Sequence, residues 1–416
     1  MTRTRFFGKT VLACTFILAV IGWGIGFYGP PIYMQAVMER TGWPIAEVST
    51  AVTVHFLSGT LVIANLPRLY ARFGIPTITL LGSIVLSIGV NTWAQANQLW
   101  VLYAGAVCSG IGWVTLGAAA VNTLIAPWYV KERPKALRKA YNGASLGGVI
   151  FSPLWVWLIE RFGFATAALA ISVVAVLLIG AFAFLVFNKS PQGLGQHADH
   201  ADQPEPVPAS ASAKPWNALQ TLRSASFRSL AAGMSLGLFA QIGLVAHLYS
   251  MLVGRMGAHD ASFAMGLATA SAMGGRYVAA RLMTQGMNRR QLACLGYAIQ
   301  MLGTLMLLGL DLHPTVAWIA VVLIGSGIGN ATSLPPLIAQ VEFSREHTAR
   351  VIALMVAISQ ATYAFAPAFF GLLRTVFIDP DHAIVAVVAA AVTVQVLAIV
   401  SFYRGVSARP FKKAVC

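Results

Sequence analysis

One arginine stands inside a long apolar stretch of the sequence, where a charge is costly and therefore informative. Arg276 is this residue. If the stretch spans a membrane, the charge costs about 2.5–3.5 kcal/mol on insertion scales, and such a side chain usually faces a cavity. Its planar guanidinium matches a carboxylate. All acidic residues fall between apolar stretches or at their ends, which favours an anionic ligand as the partner. The alternative is that Arg276 extends towards the membrane surface, close to Arg281.

Two histidines also lie within apolar stretches. His55 and His247 carry the side chain that titrates nearest to neutral pH, so either could accept a transferred proton. Each could equally be a packing residue whose ring nitrogens are satisfied by neighbours. His55 lies near the middle of its stretch and is the better candidate for a cavity or gate position.

Polar and aromatic residues within the apolar stretches could orient a ligand beside Arg276, although each alone could be a packing residue. The set predicts a moderately polar cavity with one positive charge. These residues are Tyr28, Trp113, Asn122, Asn142, Gln241, Gln360 and Tyr363. No nucleophile triad, metal-ligand spacing or GxxxxGK[ST] loop is found. We therefore predict no catalytic site, metal or cofactor, and a protein that is not an enzyme.

Composition indicates the environment of these residues. The chain has 416 residues, of which 57% are hydrophobic and only 10% charged. A chain this apolar needs lipid as its solvent. The pattern predicts an all-α membrane protein with twelve transmembrane helices. The predicted spans are 10–33, 46–67, 76–95, 99–129, 139–159, 164–187, 228–253, 261–283, 291–310, 315–341, 350–373 and 383–403.

The distribution of basic residues predicts the orientation. All but five of the 28 lysines and arginines fall in segments on the side of the N-terminus. Arg276 lies within a span, and Arg40, Arg161, Arg255 and Arg374 are assigned to the other side. The positive-inside rule then places both termini in the cytoplasm. This distribution also explains the net charge of +15 without any nucleic-acid partner.

A polar segment divides the chain into two halves. Residues 188–226 are rich in Pro, Ala, Ser and charged residues, and are predicted to form a flexible cytoplasmic linker between six-helix halves at 1–187 and 227–416. The motif Ser109–Gly112 recurs as Ser326–Gly329, 217 residues later. A match this short can arise by chance, but it favours two parallel, pseudo-symmetric repeats.

Several motifs together resemble the major facilitator superfamily, and within it the bacterial monocarboxylate and oxalate–formate antiporter group. The motifs are Gly22-Trp-Gly-Ile-Gly26, Thr41-Gly-Trp-Pro44, Ala126-Pro-Trp-Tyr129, Ala144-Ser-Leu-Gly-Gly148, Pro153-Leu154, Gly275-Arg276 and Asn188–Gln196. The resemblance covers the whole chain. It implies the major facilitator fold and a substrate cavity between the halves.

The sequence departs from the superfamily pattern at the loop after the second span. The resemblance leads us to expect an Asp-Arg pair there, but the chain has Ala71-Arg72. That acid usually latches the cytoplasmic side, so gating is expected to use other contacts. Arg72, Arg133 and Arg350 are the gating candidates in these loops. The lysine that oxalate carriers use in the eleventh helix is also missing.

The sequence therefore predicts a secondary active transporter for a small organic anion, a monocarboxylate, working by rocker-switch alternating access. One buried arginine suits one carboxylate. The alternative is an efflux carrier for drugs or hydrophobic metabolites. The expected partners are the anion, a co-transported proton and the lipid bilayer. The expected location is the inner (cytoplasmic) membrane of the cell, where the protein would act as a monomer.

Overall fold

The computed structural model describes residues 6–63, 65–200, 218–377 and 379–407, and all its regular elements there are helices. The chain divides into two compact units, Met1–Ala209 and Ser210–Cys416. The helices are apolar on almost every face, because each contacts both neighbouring helices and lipid. Each unit is described separately.

The N-terminal unit forms six membrane crossings. The first is interrupted at Tyr28, just before two prolines, and the fourth at Gly117. Its described α-helices are α1 (Gly8–Gly26), α2 (Gly29–Thr41), α3 (Ile45–Ile63), α4 (Leu66–Phe73), α5 (Ile75–Gln95), α6 (Leu99–Leu116), α7 (Ala118–Ile125), α8 (Arg133–Phe162) and α9 (Phe164–Phe182).

The C-terminal unit contains one helical run that is too long for a single crossing. Its described α-helices are α10 (Ala218–Arg223), α11 (Ala225–Thr284), α12 (Arg289–Met306), α13 (Pro314–Glu342), α14 (Arg345–Tyr363), α15 (Ala366–Val376) and α16 (Pro380–Ser407). The 60 residues of α11 would measure about 90 Å, against about 30 Å of hydrocarbon. Gly257 has φ 79°, which divides α11 into two crossings.

These crossings confirm the predicted fold class. Eleven helical segments among the described residues are long and apolar enough to span a membrane, and the division of α11 at Gly257 makes twelve crossings. Helical α4 occupies the stretch that was predicted to be a loop around Arg72. The remaining spans begin and end within a few residues of their predicted bounds.

The first residues of the predicted linker pack against the N-terminal unit. The Asp199 carboxylate accepts hydrogen bonds from the backbone N–H groups of Val130, Lys131 and Glu132, immediately before α8. Gln196 accepts a hydrogen bond from the backbone of Phe7. Residues 201–217 of the predicted linker lie outside the described residues, so the flexible linker between 188 and 226 stays a prediction.

The internal repeat is present, but its register differs from the predicted one. Gly110 of α6 lies against α3, and Gly112 lies against α5. In α13, Gly325 lies against α11 and Gly327 against α12. These pairs match at an offset of 215 residues (110 to 325 and 112 to 327). At the predicted offset of 217, Gly110 would pair with Gly327, which faces a different neighbour. The match between Ser109–Gly112 and Ser326–Gly329 is therefore misaligned by two residues.

Matching arginines at one end of each unit support the corrected register. Arg40 donates a hydrogen bond to the Ala96 carbonyl oxygen at 2.7 Å, where α5 ends. Arg255 lies 215 residues later and binds Asp311, which is equally displaced from Ala96; its Nε lies 2.8 Å from Oδ1. Arg255 also pairs with Asp381. The hydrogen bond from Arg255 lowers the pKa of Asp311. The fold thus fastens the same helix ends twice, once through a carbonyl and once through carboxylates.

A buried ion pair fastens the opposite end of the C-terminal unit. Arg290 is 2% exposed, and its Nε and Nη2 lie 2.6 and 2.8 Å from the two carboxylate oxygens of Glu342. Arg290 also donates to the Ser229 hydroxyl and to the backbone oxygens of Ser226 and Phe402. One guanidinium therefore connects α11, α12, α13 and α16.

We predict that Arg290→Met destabilises the protein by about 3–5 kcal/mol, because it leaves the Glu342 carboxylate buried beside apolar atoms. The measurement is the free energy of unfolding by denaturant titration in detergent. Arg290→Met combined with Glu342→Leu should recover much of the loss. Lys135→Met, which removes the exposed pair with Glu132, is the control and should cost about 0–1 kcal/mol. A single variant as stable as this control would contradict the role of the clamp.

Candidate functional site

His55 is the centre of a buried hydrogen-bond network in the N-terminal unit. The side chain is 1% exposed. Its Nδ1 lies 2.8 Å from the Ser109 hydroxyl oxygen, and its Nε2 lies 2.9 Å from the Gly26 carbonyl oxygen. The Trp93 indole N–H donates to the same Ser109 oxygen at 3.2 Å. The network connects α1, α3, α5 and α6.

The geometry of this network assigns the tautomer of His55. A carbonyl oxygen only accepts, so Nε2 carries a proton and donates to Gly26. In the neutral ring, Nδ1 accepts from the Ser109 hydroxyl. In the protonated ring, Nδ1–H would donate to that oxygen, while the hydroxyl turns to the Ala106 carbonyl 3.1 Å away. The same atoms can therefore satisfy either protonation state.

Aromatic side chains surround His55. The Trp113 ring stacks on the imidazole with centroids 5.7 Å apart. Phe27 packs beside Trp113 at 6.1 Å and beside Tyr28 at 5.0 Å. Within the described residues, the buried indole N–H of Trp113 has no hydrogen-bond partner. Three predicted site residues, Tyr28, His55 and Trp113, thus share one aromatic cluster that contains an unsatisfied donor.

The two predicted asparagines have different surroundings. Asn122 donates to the Tyr141 hydroxyl at 2.6 Å and to the Ala118 carbonyl of its own helix at 2.8 Å. This contact joins α7 to α8, as expected for the packing interpretation. Asn142 of α8 is exposed. Neither residue is among the described contacts of His55.

Arg276 lies in the second crossing of α11, packed over a glycine of α13. A Cβ atom added to Gly329 would come within 2.6 Å of the Arg276 Cγ and 2.7 Å of the Ala272 carbonyl oxygen. A Cβ on Gly275 would overlap the Ser326 carbonyl oxygen. The two motifs noted in the sequence, Gly275-Arg276 and Ser326–Gly329, therefore contact each other. The glycines bring the helices close enough for the arginine stem to lie along α13.

The predicted glutamines and Tyr363 lie mostly among packing contacts. Gln241 accepts a hydrogen bond from the buried Gln300 at 2.9 Å, which joins α11 to α12. Tyr363 packs against the apolar core of the C-terminal unit. Gln360 is 6% exposed. The contact between the two glutamines favours the packing interpretation for Gln241.

His247 lies beside a second intramembrane arginine, which sequence reasoning assigned to the outer side. Arg374 lies in α15 and donates to the Ser250 hydroxyl at 2.6 Å. Its Nη1 lies 3.4 Å from His247 Nδ1, while His247 Nε2 donates to the Pro367 carbonyl. In the described part of the chain, no carboxylate lies within ion-pair distance of Arg374. Arg276 is therefore not the single cation of the predicted spans, and this expectation was wrong.

The three gating candidates are exposed. Arg72 stacks its guanidinium over the Phe73 ring at 5.1 Å, Arg133 begins α8, and Arg350 lies in α14. Their role in gating stays a prediction.

Sequence reasoning missed the partners that define these sites. Ser109 was noted only as a repeat position, although a hydroxyl beside an apolar stretch that contains a histidine was a usable signal. Trp93 carried no such signal. Arg374 falls one residue beyond the predicted end of its span, so the error is a boundary error.

Comparisons with known proteins agree with this architecture. The family model described as Major Facilitator Superfamily matches residues 12–367. Because this match covers most of the chain, the protein belongs to the Major Facilitator Superfamily. It is a multi-pass membrane protein with the transporter function of that family.

Two curated relatives match shorter segments. The chain is 35% identical over 129 residues to MFS-type transporter 1 of Ophiocordyceps sp. (strain BCC 1869), which is 31% of this chain and 26% of the relative. It is 28% identical over 111 residues to monocarboxylate transporter 11 of Mus musculus, 26% of this chain and 25% of the relative. The matches thus span about a quarter of each relative's length.

Solved structures support the fold over almost the full length. A bacterial homologue of the human lysosomal transporter Spinster, inward-facing and unoccupied, has a TM-score of 0.70 at 13% identity, covering 97% of this chain and 96% of that one. A point mutant of the nucleoside transporter NupG has a TM-score of 0.70 at 11% identity, covering 96% of this chain and 99% of that one. At these identities the similarity shows the fold alone.

We predict that Ser109→Ala lowers the free energy of unfolding by about 1–3 kcal/mol, because it leaves the His55 Nδ1 and the Trp93 indole N–H without their shared partner. The matched control is Ser83→Ala on α5. The Ser83 hydroxyl is also buried but has no hydrogen-bond partner among the described residues. The control should change stability by less than about 0.5 kcal/mol. Equal losses in denaturant titration would contradict the network.

Proposed function

We propose that this transporter carries a small organic monocarboxylate and that Arg276 binds the carboxylate. The observation that carries the proposal is the placement of a guanidinium in the membrane-spanning part of α11, with its stem held over Gly329. A held guanidinium loses little freedom when it forms two parallel hydrogen bonds with a carboxylate. The partial match to a monocarboxylate transporter supports the same substrate class.

Trp113 supports a second contact to the substrate. Its buried indole N–H has no partner among the described residues. Such a donor costs free energy until it is satisfied, and a carbonyl or carboxylate oxygen would satisfy it. The aromatic rings beside it would accept the apolar part of a short carboxylate.

Arg374 is a weaker candidate for the carboxylate. Its Nη1 already donates to Ser250 and lies beside the lone pair of His247. Moving it to a substrate would give up these contacts. We therefore assign the substrate carboxylate to Arg276.

Transport would follow alternating access of the two units, driven by the substrate gradient or by a proton. His55 is the candidate proton acceptor, because its network can satisfy either protonation state. We place the protein in the inner membrane with cytoplasmic termini on the basis of the lysine and arginine distribution. The alternative remains efflux of a hydrophobic compound, which the aromatic cluster at Phe27, Phe56 and Trp113 would also suit.

We predict that Arg276→Gln reduces saturable uptake of the best monocarboxylate by at least about 100-fold, because a buried hydrogen-bonded charge contact is worth about 2–5 kcal/mol. The assay is uptake by proteoliposomes across a panel of monocarboxylates, dicarboxylates and neutral drugs, with and without a pH gradient. Arg276→Lys should retain only part of the uptake, because an ammonium lacks the planar fork.

The control for this experiment is Arg281→Gln, which removes an exposed arginine five positions further along the same helix. It should transport like the unaltered protein. Normal monocarboxylate uptake by Arg276→Gln would refute the assignment. Drug transport that tolerates Arg276→Gln would favour the efflux alternative.

We also predict that Gly329→Ala raises the apparent KM for the monocarboxylate by about tenfold. The added methyl group would displace the Arg276 stem by collision, which misplaces a group whose position matters to within about 1 Å. Gly274→Ala is the matched control, since a Cβ there meets no atom within 4 Å. If both alanine variants behave alike, Gly329 does not position Arg276.

A further inference from the structure

A groove lies between α5 and α9 within the N-terminal unit. Its volume is about 740 Å³. Its apolar walls include Ile88, Leu169, Val173 and Leu177, which are 48–69% exposed. Large apolar side chains exposed along a membrane-spanning helix face hydrocarbon. The groove therefore opens towards lipid.

The floor of this groove carries a polar stripe. Ser87, Asn91 and Gln95 recur every fourth residue, so they lie on one face of α5. The Asn91 amide donates to the Ser87 carbonyl and to the Ser172 hydroxyl, the latter at 2.8 Å. In the described part of the chain, the Asn91 side-chain oxygen and the Gln95 amide form no hydrogen bond. Hydrocarbon cannot satisfy such groups, and each costs several kcal/mol when left alone there.

The internal repeat shows that helix packing does not require this stripe. At the 215-residue offset, every polar position of the stripe corresponds to an apolar residue in the C-terminal unit. The equivalents of Ser87, Asn91, Gln95 and Ser172 are Leu302, Met306, Leu310 and Val387. The C-terminal unit instead joins α12 to α16 through Thr304 and Gln395, which are both buried. The same helix pair thus packs without any polar group facing lipid.

We infer that the groove binds a membrane phospholipid. From Ile84 to Gln95 it extends about 16 Å along α5, which is about half the hydrocarbon thickness and so the depth of one leaflet. Trp100, 68% exposed, lies just beyond the Gln95 end, where tryptophans mark the membrane interface. Gln95 and Asn91 therefore lie at the depth of the glycerol esters and headgroup, and the apolar walls accept an acyl chain.

The free amide groups indicate which headgroup chemistry fits. The Gln95 amide N–H can donate to an ester carbonyl, which every glycerophospholipid has. The side-chain oxygens of Asn91 and Gln95 accept, so they favour a headgroup that donates, as an ammonium or hydroxyl does. Phosphatidylethanolamine and phosphatidylglycerol fit this requirement, whereas phosphatidylcholine has no donor.

The test is photo-crosslinking of the full chain in nanodiscs that contain a trace of phosphatidylethanolamine with a diazirine in its acyl chain. Adducts are mapped by mass spectrometry of peptides. Adducts on Ile84–Gln95 and Leu169–Leu177 should exceed those on the equivalent α12 and α16 segments by about tenfold, the value of one or two hydrogen bonds. Replacing Asn91 by Met and Gln95 by Leu, as in the C-terminal unit, should remove this excess. A probe with a choline headgroup should label the groove less.

The matched control is Thr393→Val, which removes an exposed polar group on α16 outside the groove and should leave labelling unchanged. Gln95→Leu alone keeps the test valid if the double variant misfolds, because Gln95 is exposed and forms no described hydrogen bond. Equal labelling of the two helix pairs, or labelling that survives both variants, would overturn the inference. Crosslinks between two copies across the groove in place of lipid adducts would overturn it too.

Discussion

Hydrocarbon offers no hydrogen-bond partners, and this constraint governs the whole structure. Backbone groups must be satisfied within each helix, so all regular elements in the described residues are helical. Charged side chains within or beside the membrane must find partners in the protein. Arg290 joins four helices at one end of the C-terminal unit, and Arg255 joins helix ends at the other. Such clamps fasten helices that apolar packing alone would leave free to slide, because lipid tails are as apolar as leucine.

The duplicated scaffold carries different chemistry in its two copies. The pair α3 and α6 and the pair formed by the second crossing of α11 with α13 pack through glycines at equivalent positions. The first pair holds a titratable imidazole in a complete hydrogen-bond network. The second holds a guanidinium along a glycine. Division of labour between a proton-accepting half and a carboxylate-binding half is thus compatible with one repeated helix packing. The polar groove of the N-terminal unit and its apolar counterpart follow the same rule.

Much of the fold could be predicted, because span length and apolar composition are local properties. Each crossing needs about 20 apolar residues, and the sequence contains twelve such stretches. The break within the first span could be placed less well, because Tyr28 gives no turn signal apart from the prolines that follow it. The register of the repeat was misjudged by two residues. Four identical letters at Ser109–Gly112 and Ser326–Gly329 matched in sequence, but which helix a glycine faces depends on its angular position among its neighbours.

The sequence by itself determined the membrane environment, the twelve crossings, the resemblance to the superfamily and the prominence of Arg276 and His55, since each follows from residue type and local spacing. Only the tertiary structure decided what those residues touch. It placed Ser109 and Trp93 on His55, and Gly329 under Arg276. It also moved Arg374 from a loop into the membrane-spanning part of the fold. The physical reason is that these contacts join helices far apart in the chain, and their geometry depends on how closely the helix axes approach.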